Sequence, residues 1–464
     1  MTVKTESNGH TYWQWIFGII ANMGFLVFGL EAAWISPTTK KLQAADSPLG
    51  APLTNQEISL MASINCFSAA LVVPIYAIIA DRFGRKWAVL FSTIPAFLSI
   101  ILRLTVPNVI ALIIARAAAG ISSSGTFAIT PIYIRELSQN NLIGVLGSIS
   151  VLLQNLGFLI MYLIGAYFDY FTVLWIFLAF PLAMGVLMLK APESPAFLVK
   201  RGKIDEAYTA IAFLRGLKID DKEIKTEIEY MQKQEETFKN LPKVDLKAIF
   251  KDKAWRHGLL LMFSIFTIYA WNGAFATITY ASAILESTGS NLGISPEMQT
   301  LSFPIVMIVA SLVFTSIAER FNRKPLLIVS FLISAIALVC LGIAMRMQSY
   351  GYTIPNWLPV TCLMIVVAFY AGGVRTLPFI ILTEMFNFQA RAKVMGCIST
   401  YAWLTTTSQL FAYTPLTDAF GIYTTFIIYG FLNLVGALFT SILPETRGKT
   451  DEIIRDELAN GKKK

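Results

Sequence analysis

The sequence predicts an all-α membrane protein: twelve transmembrane helices in two six-helix halves, joined by a polar helical linker. Three observations carry this. First, 55% of the 464 residues are hydrophobic, 14% are charged and the mean hydropathy is +0.62. An ordinary soluble domain has about 25% charged residues, so a water-soluble core could not hide this much apolar surface. Second, apolar runs of about 20 residues, the length that crosses the hydrocarbon of a bilayer, recur along the chain. Third, a charged string occurs twice, "DRFGRK" at 81–86 and "ERFNRK" at 319–324, in corresponding places six helices apart.

The expected spans of the first half (1–190) are 14–36, 57–80, 87–106, 108–134, 144–168 and 171–190. Those of the second half (258–443) are 258–285, 299–318, 325–346, 357–383, 394–415 and 421–443. Short connections make sequence neighbours antiparallel partners. Trp13, Trp15, Trp175 and Trp357 fall near expected ends, where aromatic rings favour the membrane interface. Residues 191–257 differ in kind. Acids and bases alternate there, and Ala207, Ile211 and Leu214 recur at helical spacing, which reads as short amphipathic helices on the membrane surface. A polar tail, 444–464, closes the chain.

Lys and Arg orient the expected bundle. The loops after spans two, eight and ten carry Arg82, Arg85 and Lys86, then Arg320, Arg323 and Lys324, then Arg391 and Lys393. The linker is lysine-rich, and the opposite loops hold fewer bases, chiefly Lys40, Lys41 and Arg346. The basic side is the cytoplasmic one, which places both termini there, most simply in a plasma membrane. The net charge of +8 then reflects positive-inside bias and not nucleic-acid binding. The first apolar run lacks a small-residue cleavage site and reads as a span, not a removed signal. Cys66, Cys340, Cys362 and Cys397 all lie in apolar stretches, and His10 and His257 are the two histidines. Neither set has metal-ligand spacing, no cofactor is implied, and no nucleophile–base arrangement points to an enzyme.

The repeat extends beyond one string. "PIYIREL" (131–137) follows the fourth span and brings Arg135 and Glu136, while "LPFIILTEMFNFQARAK" (377–393) follows the tenth and brings Glu384 and Arg391. With Asp81 and Glu319 opening the two strings, each half sets matching acids and bases at its cytoplasmic helix ends. Duplicated halves of this kind are the mark of a rocking transporter. Acid–arginine pairs would lock one face and release it in turn.

Together with "RAAAGISSSG" (116–125), "PESPAFL" (192–198) and "PETRGKT" (444–450), these strings resemble the sugar porter family of the major facilitator superfamily, over about residues 14–455. Trp34–Pro37 and "PLTNQE" at 52–57 are similar to the arthropod branch that includes insect facilitated trehalose transporters. The resemblance implies alternating access, with a sugar or polyol bound midway between the halves, and adds Glu193 and Glu445 to the gating set. Three departures stand out. Ile143 replaces an arginine, so Glu136 loses its expected local partner and the gate of the first half is thinned. Asn322 replaces a glycine, and Ala196 replaces a basic residue.

The amides that line the sugar site in the resembled family are largely missing. The corresponding positions are Val151, Tyr269, Ala270, Phe275, Met307 and Ala402, while an acidic position becomes Ala371 and a tryptophan becomes Phe379. Two readings stay open. In one, a sugar is still held, by Gln154, Asn155, Asn272, Thr405, Thr406 and Gln409. In the other, a stripe of Tyr269, Trp271, Phe275, Phe379 and Trp403 receives a less polar aromatic or glycosylated solute. Arg375 is an unexpected charge in the tenth span.

"FGLE" at 28–31 puts Glu31 where proton-coupled members of the resembled family keep an acid, with Arg116 as the implied partner. An ion pair favours the charged carboxylate while burial opposes it. A balance of that kind could let Glu31 take up and release a proton, which is symport. The alternative is a static pair that orders two helices, because breaking a buried pair costs about 3–5 kcal/mol. The leading expectation is secondary transport of a small organic solute. The rival is a non-transporting nutrient sensor on the same fold, whose long signalling tail has no counterpart in residues 444–464.

Overall fold

The computed structural model describes residues 9–240, 246–289, 292–449 and 451–460, and every regular element in them is helical. The chain runs through α1 (Tyr12–Ala33), α2 (Ile35–Gln43), α3 (Asn55–Phe83), α4 (Arg85–Thr105), α5 (Val109–Leu137), α6 (Asn140–Tyr167) and α7 (Tyr170–Leu189). Four linker helices follow: α8 (Pro195–Lys200), α9 (Ile204–Arg215), α10 (Lys222–Asn240) and α11 (Leu246–Lys251). The chain then continues as α12 (Lys253–Trp271), α13 (Ala274–Thr279), α14 (Ala281–Ser287), α15 (Pro296–Thr300), α16 (Ser302–Arg320) and α17 (Arg323–Ser349). After α18 (Trp357–Phe369) comes a single π-helical turn (Tyr370–Val374), then α19 (Leu377–Met385), α20 (Phe388–Phe420), α21 (Ile422–Ile442) and α22 (Asp451–Asn460).

Eleven of the resulting helical segments are long and apolar enough to cross a membrane. The expected twelfth, 394–415, lies inside α20. That helix has 33 residues, ample length, but Thr400, Thr405, Thr406, Thr407, Ser408 and Gln409 lower its hydropathy. Side-chain caps start many of these helices. Thr54 accepts from the Glu57 N–H at 3.3 Å while the Glu57 carboxylate accepts from the Thr54 N–H at 2.8 Å. The "PLTNQE" string is therefore a capping box that begins α3. Asn108, Asp169, Asp252 and Asn387 cap α5, α7, α12 and α20 in the simpler one-bond manner.

Helices α1 to α7 pack chiefly on one another, through α1 with α6, α5 with α3 and α4, and α4 with α7. Helices α12 to α21 do the same, through α17 with α21 and α18, and α12 with α20 and α21. Two seams join the sets: α3 with α20, and α6 with α16. These are the second span with the eleventh and the fifth with the eighth, a pairing that maps onto itself when each span is moved six along. Helices α8 to α11 sit at one end of the bundle, here termed the linker end. Arg215 on α9 donates to the Leu137 carbonyl at 3.0 Å, and Gln14 reaches the Leu214 carbonyl at 3.2 Å.

The α1–α6 crossing depends on two glycines. A Cβ on Gly29 would stand 2.2 Å from the Gln154 carbonyl oxygen, and one on Gly157 would stand 2.3 Å from that of Leu26. Both obstacles are backbone, so a side chain at either place must push the helices apart, an overpacking cost of about 1–3 kcal/mol or more. Gly157→Val is expected to lower the apparent melting temperature in detergent by several degrees, whereas Gly144→Ala, where a Cβ meets nothing within 4 Å, leaves it unchanged. Equal melting temperatures for both variants would contradict this crossing.

Candidate functional site

The charged strings at the linker end form two similar clusters. In the first, Arg85 grips Glu136 with two bonds, 2.9 Å from Nε and 3.2 Å from a terminal nitrogen. Arg85 also meets Asp81 at 3.3 Å, and Ser194 Oγ donates to Glu136. Glu193 Oε1 accepts from the backbone N–H groups of Arg85 and Lys86 at 2.9 and 3.0 Å. Those are the first residues of α4, whose unpaired N–H groups and helix dipole suit a carboxylate. In the second cluster, Arg323 reaches Glu384 at 3.4 Å, Thr446 Oγ1 donates to Glu384 at 2.6 Å, and Glu445 accepts from the Arg323 and Lys324 N–H groups at 3.1 and 3.3 Å. Lys86 Nζ donates to the Leu189 carbonyl, and Lys324 Nζ to that of Leu443. Arg201 donates to the carbonyls of Asp81 and Arg82, and Arg447 to that of Arg320. Burial pushes the half-buried Glu193 carboxyl up from the usual carboxylate range, against its backbone donors.

These clusters correct one expectation. Ile143 does not leave Glu136 short of a partner, because Arg85, 51 residues away in sequence, supplies a bidentate one. The first cluster is thus the tighter of the two. The Asn322 substitution also has a local reason. Gly84 adopts φ +111°, and a Cβ there would meet the Glu193 carboxylate at 2.1 Å. Asn322 has φ −66°, open to any residue, and stands at the N-cap position of α17 without a side-chain capping bond. Arg135 is exposed at the end of α5, and Arg391 is half-buried with its Nε on the Phe386 carbonyl at 3.1 Å. The Glu319 side chain lies outside the described residues.

Within the first bundle Glu31 is 4% exposed and meets two arginines, not one. Arg116 donates to its Oε1 at 2.5 Å, to its backbone carbonyl at 2.8 Å and to the Met61 carbonyl at 3.0 Å. Arg103 donates to the same Oε1, and to Ser99 Oγ at 2.7 Å, with its guanidinium 4.6 Å from the Trp34 ring centroid. One carboxylate between two guanidiniums leaves the buried triad with a net positive charge. Arg103 was absent from the sequence-based site. It stands near the end of an apolar run, where a long side chain is expected to reach for the interface. A crevice lined by Glu31, Ser122, Ser123, Thr126 and Phe28 runs beside the triad.

The expected binding residues fall in several separate places. Asn155 on α6 is fully buried and joins the two bundles: it donates to Ser311 Oγ at 3.1 Å and accepts from Arg375 at 3.0 Å. Gln154 is buried beside it. Tyr269 and Phe379 meet edge to face with centroids 6.1 Å apart, and Phe266 and Tyr370 complete their cluster. Trp403 instead packs on Phe28 at 5.9 Å and Phe127 at 5.4 Å, across the mid-bundle seam. Trp271 turns to Ser408 and Tyr429. The expected single aromatic stripe is therefore split, because the stretch from 269 to 275 spans a break in the helix at Asn272–Gly273. Asn272 serves that break. Its Oδ1 accepts from the Ala274 N–H at 3.0 Å and its carbonyl from Asn433 at 2.9 Å. Phe275 is half-buried just beyond it. Thr406 returns its hydroxyl to the Ala402 carbonyl at 2.8 Å.

The two bundles also meet at the end opposite the linker. Ser282 N–H donates to Ser36 Oγ at 3.1 Å, Tyr162 to the Ile278 carbonyl, and Ser59 Oγ to the Phe411 carbonyl at 2.9 Å. Toward the linker end, Gly144 and Gly147 on α6 and Gly396 on α20 face open space. The bundles are joined at the far end, while these glycines toward the linker end have open space beside them.

A family profile described as "Sugar (and other) transporter" matches residues 17–457. The facilitated trehalose transporter Tret1 of Aedes aegypti is 25% identical over 449 residues, covering 96% of this chain and 55% of the relative. That of Bombyx mori is 22% identical over 455 residues, covering 97% of this chain and 88% of the relative. The chain thus spans little more than half the length of the Aedes protein. Among solved structures, the inward open conformation of the xylose transporter XylE from E. coli superposes with a TM-score of 0.76 at 21% identity, covering 95% of this chain and 99% of that one. The proton:xylose symporter XylE bound to 6-bromo-6-deoxy-D-glucose gives 0.74 at 21% identity, covering 96% and 98%.

The triad makes an asymmetric prediction. Glu31→Gln leaves two buried guanidiniums without a counter-charge and is expected to cost about 3–5 kcal/mol, the usual penalty for breaking a buried pair. Arg103→Met leaves a neutral Glu31–Arg116 pair and costs less. Thermal unfolding of both variants in detergent checks the order, and an equal or reversed loss would contradict the net positive triad.

Proposed function

The chain belongs to the sugar transporter family, and we propose that it carries a sugar-related small organic solute across a membrane by alternating access. One observation supports this most directly. The two bundles carry matching acid–base clusters at the linker end, yet meet each other at mid-depth and at the far end. Rigid bundles that pivot about a central site are the ordinary way such repeats work. On this reading the linker end faces the cytoplasm, in keeping with its Lys and Arg, and Arg85–Glu136 and Arg323–Glu384 hold each bundle's helix ends together while the bundles rock. The central site lies between α6, α12, α16, α20 and the π-turn, around Asn155, Tyr269, Phe379 and Arg375.

The proposed transport is facilitated. Glu31 is held by Arg103 and Arg116 together, so protonating it would strand two buried cations. The similarity to facilitated trehalose transporters agrees with this. A proton-coupled reading draws on the crevice of Ser122, Ser123 and Thr126 that reaches Glu31, and on the similarity to a proton:xylose symporter.

Reconstituted in liposomes, the chain is expected to show saturable counterflow of a labelled hexose or disaccharide, at a rate that ignores an inward proton gradient. Uptake driven by the gradient would replace the facilitated reading with symport. No counterflow across a broad panel of sugars, polyols and glycosides would contradict transport.

A further inference from the structure

Arg375 is a guanidinium at mid-depth between the two bundles, 7% exposed. Among the described residues the groups that bear on it electrostatically are the phenols of Tyr370 and Tyr269, and no carboxylate. One terminal nitrogen donates to Asn155 Oδ1 at 3.0 Å. Its Nε and its other terminal nitrogen have no hydrogen-bond partner. The Tyr370 ring lies 6.0 Å away, at the outer limit of a cation–π contact. An arginine cannot shed its proton, so burial leaves a fixed positive charge with two unused donors.

The surroundings hold this charge in place. The π-turn Tyr370–Val374 ends directly before Arg375, and such turns tend to occur where a helix is shaped for a site. Asn155 is itself anchored by Ser311 on α16, so the oxygen that orients the guanidinium comes from the opposite bundle. The unused edge is itself buried, and Thr376, Tyr269 and Phe379 in this region are only half-buried. An Nε together with a terminal nitrogen is the fork that grips a carboxylate or a phosphate with two parallel bonds.

The geometry points to an anionic solute: a sugar acid or sugar phosphate whose charged group docks on Arg375 while Tyr269 and Phe379 line the rest of the site. This inference rests on the transport reading above and narrows its substrate class. It also gives a reason for the apolar residues at the sugar-facing positions, since one strong charged contact offsets several lost amide bonds.

The test uses the full chain in liposomes, with labelled D-glucuronate, D-glucose 6-phosphate and D-glucose, each with chloride present and absent. At least one of the anionic sugars is expected to be taken up with a half-saturation at least tenfold below that of glucose. Arg375→Gln should reduce that preference to within twofold, and Arg375→Lys should keep part of it. Asn155→Asp supplies a built-in carboxylate to the same guanidinium and should also abolish the preference, in a variant that retains a neutralised buried pair. Saturable glucose uptake with no preference for either acid, or a preference that survives both Arg375→Gln and Asn155→Asp, overturns the inference and leaves transport standing. Glucose uptake that requires chloride overturns it too, because Arg375 would then hold an inorganic anion. Absence of saturable flux for every probe removes the transport reading and this inference with it.

Discussion

A charge placed among apolar helices must find a partner, and the structure is organised around how each one does. In a low-dielectric interior an unpaired charge costs several kcal/mol, while a paired one ties together the elements that carry the two groups. At the linker end the ties are local to a bundle. Glu193 and Glu445 cap the helices that follow the repeated strings, while Arg85 and Arg323 reach to Glu136 and Glu384. Deeper in the first bundle, Glu31 draws α4 and α5 onto α1 through Arg103 and Arg116. Arg375 is the exception, since it donates to a neutral amide from the opposite bundle.

This division of labour fits a molecule that rocks. The buried and half-buried ionic contacts named above stay within a bundle. The contacts that must be made and broken are lighter: the serine pair Ser36–Ser282, the hydroxyl of Ser59 on a backbone carbonyl, and the edge-to-face rings around Trp403. Breaking a neutral hydrogen bond costs about 0.5–1.5 kcal/mol net, small enough for a solute to supply. Lys40 of α2 also meets Glu286 of α14 at 3.4 Å, with both side chains exposed, and such a surface pair is worth only about 0–1 kcal/mol.

Much of the fold was legible because membrane physics writes it in composition. Long apolar runs, a charged linker and a repeated string are one-dimensional signals, and the helices lie where those signals are. The exception is α20, whose threonines, serine and glutamine lower its hydropathy while it packs along α3. The central site was less legible for a three-dimensional reason. Glu31 announced itself by being an acid in an apolar run, but which arginines reach it depends on helix rotation. Arg103, 72 residues away, has nothing in its local sequence that ties it to Glu31. The local position that would pair with Glu136 holds Ile143, and the partner Arg85 comes instead from the start of α4. Spacing along the seventh span joined Tyr269, Trp271 and Phe275 into one stripe, and the break at Asn272–Gly273 turned Trp271 toward α20 and α21 instead.

The central claim is that the two bundles separate at the far end during each cycle. Cysteines at Ser36 and Ser282, joined by a hydrogen bond in this orientation, test it directly through solute flux before and after oxidation. The account predicts that the disulfide stops flux, that a reductant restores it, and that neither single-cysteine control responds. Undiminished flux through the cross-linked protein would contradict alternating access by these two bundles.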